Sequence, residues 1–128
     1  MASPRPALPE VIETARIEAV RQRAALVGLA AAVSAGRFGV STQDVFVRTN
    51  DRKSAQGTAL QNARDLTVWL LHCGMGWTVE QAGQAINIDS RQAAQRALRR
   101  VSDLEEGHPS FSRYLEELAD LLAMQEAG

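Results

Sequence analysis

The spacing of apolar residues along the chain predicts helices from one end to the other. From Glu10 to about Phe38, strong helix formers carry apolar residues at every third or fourth position, which is typical of an amphipathic helix. The stretch is either one long helix or two helices that break near Gly28. Gly39 is placed to end it, because glycine readily adopts the left-handed conformation that follows many helices.

Three prolines, at positions 4, 6 and 9, precede this helix. Proline lacks a backbone donor and interrupts helices, so residues 1–9 are predicted to be a flexible N-terminal segment. A chain of 128 residues is long enough to bury one core. We therefore expect an all-α fold in which residues 10–125 form a single compact helical bundle.

The middle of the chain alternates polar and apolar segments. Ser41 and Asp44 have a spacing similar to a capping box and predict a short helix through Val47. Residues 48–60 have no apolar period and are predicted to form a surface loop that carries Arg48, Arg52 and Lys53.

A second amphipathic helix is predicted between residues 61 and 73, and it ends at two nearby glycines. Its expected apolar stripe consists of Leu66, Trp69, Leu70 and Cys73.

The clearest local signal starts at Thr78, which forms a capping-box spacing with Gln81. It opens a helix of about nine residues that stops at residues 87–89. A second capping-box spacing, Asp89 to Gln92, opens a helix that runs to about Leu104. Two short helices joined by about three residues are typical of a helix-turn-helix, here at about 78–104. The residues expected to face inward are Ala82, Ala85, Ile86, Ala94, Ala97, Leu98 and Val101.

The outer face of the second helix is basic and rich in amides, and its members are Arg91, Gln92, Gln95, Arg96, Arg99 and Arg100. Arginine pairs with guanine edges and phosphates, and glutamine pairs with adenine. Because the N-terminal part of a recognition helix usually enters the major groove, Arg91, Gln92 and Gln95 are the predicted base-reading residues. The alternative is a solvated basic face without a ligand.

A last helix is predicted at about 109–125, after the break at residues 107–109. It has one apolar stripe and one acidic face. It either closes the bundle or presents its acidic face to a partner protein.

The charge of the chain is segregated, although the net charge is only −1. Residues 1–101 hold 13 basic and 8 acidic residues, whereas residues 102–128 hold one basic and seven acidic residues. Such asymmetry predicts two faces with different partners. Arginine supplies 13 of the 14 cations, and its planar fork matches phosphates.

Several classes of function find no support in the sequence. The single cysteine, Cys73, fits a reducing cytoplasm and excludes an intramolecular disulfide or a multi-cysteine zinc finger. His72 and Cys73 are neighbours that diverge on a helix, so a metal site is not expected. The chain contains no P-loop, signal peptide or membrane-spanning stretch. We expect a cytoplasmic, nucleoid-associated protein that is not an enzyme and has no cofactor.

Residues 33–122 resemble the C-terminal DNA-binding domain of the bacterial replication initiator DnaA. The resemblance rests on Phe38-Gly39-Val40, on Asp44-Val45-Phe46 with the basic loop that follows, and on Arg64 opening an apolar helix. It continues without a gap from Gly76-Trp77-Thr78-Val79 to Ala97-Leu98-Arg99-Arg100-Val101.

The resemblance implies contacts with the DNA backbone or the minor groove for Arg64, Thr78, Arg96 and the basic loop of Arg48, Arg52 and Lys53. The basic face of the same helix adds Arg99 and Arg100 to the predicted backbone contacts. The family's origin-reading signature is Arg-Asp-His-Ser/Thr-Thr, and residues 89–93 do not retain it. Together with the missing P-loop, this departure implies a DNA-binding module of different specificity, not an initiator.

The size and predicted architecture of this chain resemble those of the GafY-type proteins, which are phage-derived activators of gene transfer agents in α-proteobacteria. That resemblance implies an activator of phage-like or gene-transfer-agent genes, acting with a sigma-factor-like protein, RNA polymerase and integration host factor. The alternative is a protein–protein interaction module that uses the acidic C-terminal helix and the N-terminal helix without reading DNA. The oligomeric state stays open, since the helix of residues 10–38 could pair two copies, contact polymerase or pack on the bundle.

Overall fold

The computed structural model of the protein describes residues 8–48 and 54–107, and within residues 108–128 it describes four separate helical positions: Arg113, Glu116, Glu117 and Asp120. Every regular element in these ranges is helical, as the sequence predicts. The helices are α1 Leu8–Phe38, α2 Thr42–Val45, α3 Ala55–Trp69, α4 Val79–Gln84 and α5 Arg91–Gly107.

Helix α1 is continuous over 31 residues, so the predicted alternative of a break near Gly28 is wrong. It begins at Leu8, two residues before the predicted start. The second half of α1, from Leu26 onward, packs on α3 and α2. Every residue from Pro9 to Ala25 is exposed. Gly39 ends the helix with φ of 70°, the left-handed conformation that the sequence predicts.

The predicted capping box before α2 does not form. Ser41 precedes the helix with extended backbone angles, but its side chain makes no capping hydrogen bond. Val45 in α2 is fully buried against α1 and α3. This short helix therefore depends on packing and not on a side-chain cap.

Helix α3 begins at Ala55, so the predicted loop of residues 48–60 is too long. Ser54 supplies the start signal, because its hydroxyl accepts a hydrogen bond of 3.0 Å from the Gly57 amide. Polar residues after Ser54 conceal the helix in the sequence, since its first turn is mostly exposed.

A π-helical turn, Leu70–Gly74, extends α3. Such a turn holds more residues than an α-helical turn and changes which side chains face the core. Leu66, Leu70 and Leu71 are fully buried, whereas Cys73 is exposed. The prediction that Cys73 lies on the apolar stripe is therefore wrong.

Helices α4 and α5 cross at their smallest residues. A Cβ atom added to Gly83 would lie 3.0 Å from the Ala94 Cβ and 3.5 Å from the Ile88 Cβ. Ala82, Ile86, Ala94, Ala97 and Val101 are buried in the core that both helices share with α3, as predicted. The glycine allows the two helices to approach closely.

The predicted acidic helix at 109–125 lies mostly outside the described residues, as do residues 1–7 and 49–53. The four described positions within it are helical and exposed. None of the described helices combines the length and the apolar character that a membrane span requires.

Candidate nucleic-acid interface

The start of α4 is fixed by the capping box that the sequence predicts. The Thr78 hydroxyl accepts a hydrogen bond of 3.1 Å from the Gln81 amide, and the Gln81 side chain accepts one of 3.1 Å from the Thr78 amide. Thr78 is exposed, and its hydroxyl hydrogen remains available as a donor. It thus keeps the chemistry expected of a phosphate contact.

The turn between α4 and α5 is fixed by Asn87, which is not among the predicted site residues. Its φ of 64° places it in the left-handed region, which asparagine tolerates better than most residues. Its side-chain amide donates a hydrogen bond of 2.9 Å to the Phe46 carbonyl oxygen. Asn87 therefore sets the path of the turn and ties it to the end of α2.

Ser90 caps α5, one residue later than the predicted Asp89. Its hydroxyl accepts a hydrogen bond of 3.0 Å from the Ala93 amide, which identifies Ser90 as the residue before the first helical position, Arg91. The capping box predicted to start at Asp89 is therefore wrong by one position. Aspartate and serine are both favoured as caps, so the sequence alone did not distinguish the two neighbours.

Five of the six predicted outer residues of α5 form an exposed, charged and polar face. We call this the outer face of α5; its members are Arg91, Gln92, Gln95, Arg96 and Arg99. One guanidinium nitrogen of Arg91 lies 4.0 Å from a carboxylate oxygen of Glu80, and both side chains are more than half exposed. Such an exposed ion pair stabilises little, so Arg91 can exchange Glu80 for another acceptor.

The sixth residue, Arg100, points elsewhere. Its guanidinium donates two hydrogen bonds, of 2.7 and 2.8 Å, to the two carboxylate oxygens of Asp65 on α3. Gln61 donates a third hydrogen bond, of 2.8 Å, to the same carboxylate. Burial raises the pKa of Asp65, and this effect exceeds the opposing effect of the hydrogen bonds from Arg100 and Gln61. The Asp65 hydrogen bond raises the pKa of Arg100.

Arg100 is therefore a link between α5 and α3, while its assignment as a phosphate contact stays a prediction. The reason for the link is physical: the Asp65 side chain is 2% exposed, and a buried carboxylate needs a positively charged donor. Periodicity places Arg100 beside Arg96 on the helix surface, but it cannot reveal a partner that lies 35 residues earlier in the chain.

Arg64 is also buried, with only 3% of its surface exposed. Its guanidinium donates a hydrogen bond of 2.7 Å to the Val45 carbonyl oxygen and so joins α3 to α2. Burial lowers the pKa of Arg64, and the charge of Arg48 lowers it further, while Asp65 opposes both. The buried guanidinium of Arg64 forms part of a cleft wall, and its predicted role as a phosphate contact stays a prediction.

That cleft lies between α3, the turn after α4 and the first half of α5, and has a volume of about 550 Å³. We call it the basic cleft; its arginines are Arg48, Arg64, Arg96 and Arg100. Asp89 is the carboxylate among its lining residues. Because Arg100 is paired with Asp65, the arginines that remain for a ligand are Arg48, Arg64 and Arg96.

The remaining predicted basic residues fall into two groups. Arg48 is described and exposed, whereas Arg52 and Lys53 lie outside the described residues.

His72 has a structural contact, since its Nδ1 lies 2.6 Å from the Trp77 carbonyl oxygen. A carbonyl oxygen can only accept, so Nδ1 carries the proton. No metal-binding group of three His, Cys, Asp or Glu side chains occurs among the residues that the structure describes.

Two functionally placed residues were missed, Asn87 and Asp65. An asparagine before an apolar residue and a cap is a possible signal for a left-handed turn. Gln61 and Asp65 are four residues apart on a helix, which is the spacing of a side-chain pair, but the burial of Asp65 leaves no local signal.

Comparisons with known protein families, with curated proteins and with solved structures give no match. The resemblance to the DnaA DNA-binding domain therefore stays a prediction from the motifs of the sequence.

Proposed function

We propose that the protein is a sequence-specific, double-stranded DNA-binding transcription regulator that places the outer face of α5 in the major groove. The observation that carries this proposal is the composition of that face. It presents three arginines and two glutamines, all exposed, on a helix whose opposite side is buried. These side chains supply the donors and acceptors that recognise base edges.

Within that face we assign base reading to Arg91, Gln92 and Gln95. They lie in the first five residues of α5, the part of a recognition helix that usually reaches the bases. Arg99 lies two turns beyond Arg91, where a helix that leaves the groove passes the phosphates. We assign to Arg99 a contact with the backbone.

The basic cleft is suited to a backbone phosphate. Arg64 is a buried cation that has no salt bridge with a carboxylate among the described residues. A buried charge is costly unless opposite charges compensate it; the charge of Asp65 compensates part of that of Arg64, and an incoming phosphate would add to this compensation. Arg48 and Arg96 line the same cleft and carry further positive charge. Thr78, Arg52 and Lys53 are backbone contacts by resemblance alone.

The proposal is tested by selecting a preferred site from a random-sequence duplex library and measuring binding by mobility shift at several salt concentrations. We expect specific binding whose affinity falls as salt rises, since phosphate contacts release counterions. Binding that is absent, or that shows no dependence on salt, would contradict the proposal.

The more detailed proposal rests on the resemblance and not on contacts. It is that the protein activates phage-like or gene-transfer-agent genes together with a sigma-factor-like protein, RNA polymerase and integration host factor. In vitro transcription from the selected site, with and without a sigma-factor-like protein, tests it; unchanged transcription in both reactions would contradict it.

A second candidate function is a protein–protein interaction module without DNA reading. The observation that favours it is the exposure of the whole N-terminal half of α1. Substitutions on the outer face of α5 separate the two functions, because they leave this second function intact.

A further inference from the structure

Asp65 lies behind the wall of the basic cleft and interacts with three side chains that line it. Its two carboxylate oxygens accept hydrogen bonds of 2.7 and 2.8 Å from Arg100 and one of 2.8 Å from Gln61. Gln61 and Arg100 both line the cleft, whereas Asp65 is not among the described lining residues. The third lining side chain belongs to Arg64, the neighbour of Asp65 in the chain, and the charge of Asp65 acts on it.

The hydrogen bonds of Asp65 suit a negatively charged carboxylate. Both of its oxygens accept, and the guanidinium of Arg100 can only donate. The side chain of Asp65 is 2% exposed, so solvent screens its charge much less than that of an exposed carboxylate. Asp89, which lines the cleft itself, is exposed. The buried carboxylate therefore acts on the cleft with little screening.

The carboxylate of Asp65 reduces the positive charge that the cleft offers to an anion. It holds the guanidinium of Arg100, which lines the cleft and is 44% exposed. It also compensates part of the charge of Arg64. An anion in the cleft is attracted by both arginines and repelled by Asp65. Because packing fixes the position of Asp65, this repulsion is present before any ligand arrives.

We propose that Asp65 limits the affinity of the basic cleft for phosphate groups, so that the cleft by itself holds a duplex only weakly. This role rests on the proposed function, in which a phosphate of DNA enters the cleft. Affinity for phosphate is independent of base sequence, and a cleft with its full positive charge would bind any duplex more tightly. Asp65 thereby restrains binding to random DNA without touching the ligand.

The test uses two substitutions of Asp65 in the full chain. Asp65→Asn removes the charge and keeps an amide oxygen that can accept a hydrogen bond from Arg100. Asp65→Glu keeps the charge and adds one methylene group. Glu13→Gln is the matched control, because it removes one negative charge from an exposed residue of α1 that does not line the cleft. Circular dichroism and urea denaturation verify that each variant is folded.

Binding is measured by mobility shift with a random-sequence duplex and by NMR titration with sulfate, followed at the amides of Ser90 and Ala93, which line the cleft. We expect Asp65→Asn to bind both about fivefold more tightly, on the order of what one unit charge contributes across several ångströms of polar surroundings. Asp65→Glu and Glu13→Gln should stay within about twofold of the unchanged protein, since the first keeps the charge and the second removes a screened one. A purely structural role of Asp65 predicts the opposite sign for Asp65→Asn, because a destabilised fold binds less tightly.

A second measurement needs no substitution at Asp65. If the carboxylate opposes an anion in the cleft, the anion opposes ionisation of the carboxylate to the same extent, because coupling between two sites is reciprocal. Carbon-13 NMR of the Asp65 carboxyl should therefore give a higher pKa in saturating sulfate than in chloride of equal ionic strength, by about 0.7 for a fivefold coupling. Sulfate keeps its charge throughout this titration.

Three outcomes would overturn the proposal. A folded Asp65→Asn variant could bind sulfate and duplex no more tightly than the unchanged protein. Glu13→Gln could tighten binding to the same extent, which would reduce the effect to net charge. Sulfate could leave the pKa of Asp65 unchanged, or fail to bind in the cleft of any variant. Failure of the proposed function is a separate result, since a protein that binds no duplex at any salt concentration leaves the sulfate titrations to decide the role of Asp65.

Discussion

The two sides of α5 use the same kind of residue for different purposes. At the edge of the inner side, toward α3, Arg100 is 44% exposed and binds the buried carboxylate of Asp65 with two hydrogen bonds. On the outer face, the neighbouring Arg99 is exposed and has no ion pair among those that the structure describes. The comparison shows that arginine composition alone does not identify a DNA contact; the position of the nearest buried carboxylate decides the role.

The packing of the inner side of α5 should govern stability. Its most sensitive contact is the one with Gly83 of α4, where the two helices cross. Gly83→Val adds a branched side chain where a Cβ already lies 3.0 Å from that of Ala94. We expect the free energy of unfolding to fall by about 3 kcal/mol, as for an overpacked core, in urea denaturation. Gln84→Val is the matched control, because Gln84 is exposed on the same helix. Equal losses would contradict the close crossing.

Arg100→Ala should reduce the free energy of unfolding by about 2 kcal/mol, because it leaves the Asp65 carboxylate buried without its cation. The value is below that of a fully buried pair because 44% of the Arg100 side chain is exposed. Arg99→Ala is the control and should leave the urea midpoint unchanged. If both variants unfold at the same urea concentration, the contrast between the two arginines is wrong.

The outer face should govern specificity without affecting stability. Arg91→Ala or Gln92→Ala should weaken binding to the selected site by roughly 1–3 kcal/mol, with little change on random DNA. Competition mobility shift with both duplexes measures the difference. An equal loss on both duplexes would remove the base-reading role and leave only a contact with the backbone.

The smallest effect is expected for Arg99→Ala as a backbone contact. It should weaken specific and random duplexes alike and reduce the slope of log affinity against log salt by about one unit. Arg113→Ala, an exposed arginine outside α5, is the control. A loss confined to the selected site would make Arg99 a base-reading residue.

The parts of the fold that local spacing determines could be predicted from the sequence. The Thr78–Gln81 capping box and the inward alanines of α5 follow from interactions within one or two helical turns. The long helix and the stop at Gly39 follow in the same way. The residues that stabilise each of these features lie within a few positions of one another, so the local sequence pattern is enough to predict them.

The parts that depend on distant partners could not be predicted. Arg64 and Arg100 looked like surface cations because Val45 and Asp65 reach them only after α2, α3 and α5 have packed. The start of α3 at Ala55 was missed because Ser54 lies in a polar run. The prediction that Cys73 faces the core is wrong because the π-helical turn at Leu70–Gly74 changes which side chains continue the apolar stripe of α3.

The contact between Arg23 and Trp77 gives the protein an optical reporter of its own. An indole that lies beneath a cation changes its emission when the cation moves away. Because Trp77 is half-buried beside Arg23 at the middle of α1, its fluorescence would respond to bending of α1 relative to the bundle. Trp69, the other tryptophan, is half-buried at the end of α3. A Trp77→Phe variant reports the emission of Trp69 alone, and subtracting it from the emission of the unchanged protein gives the signal of Trp77. Any bending of the long helix at this point could therefore be followed in solution without attaching a dye.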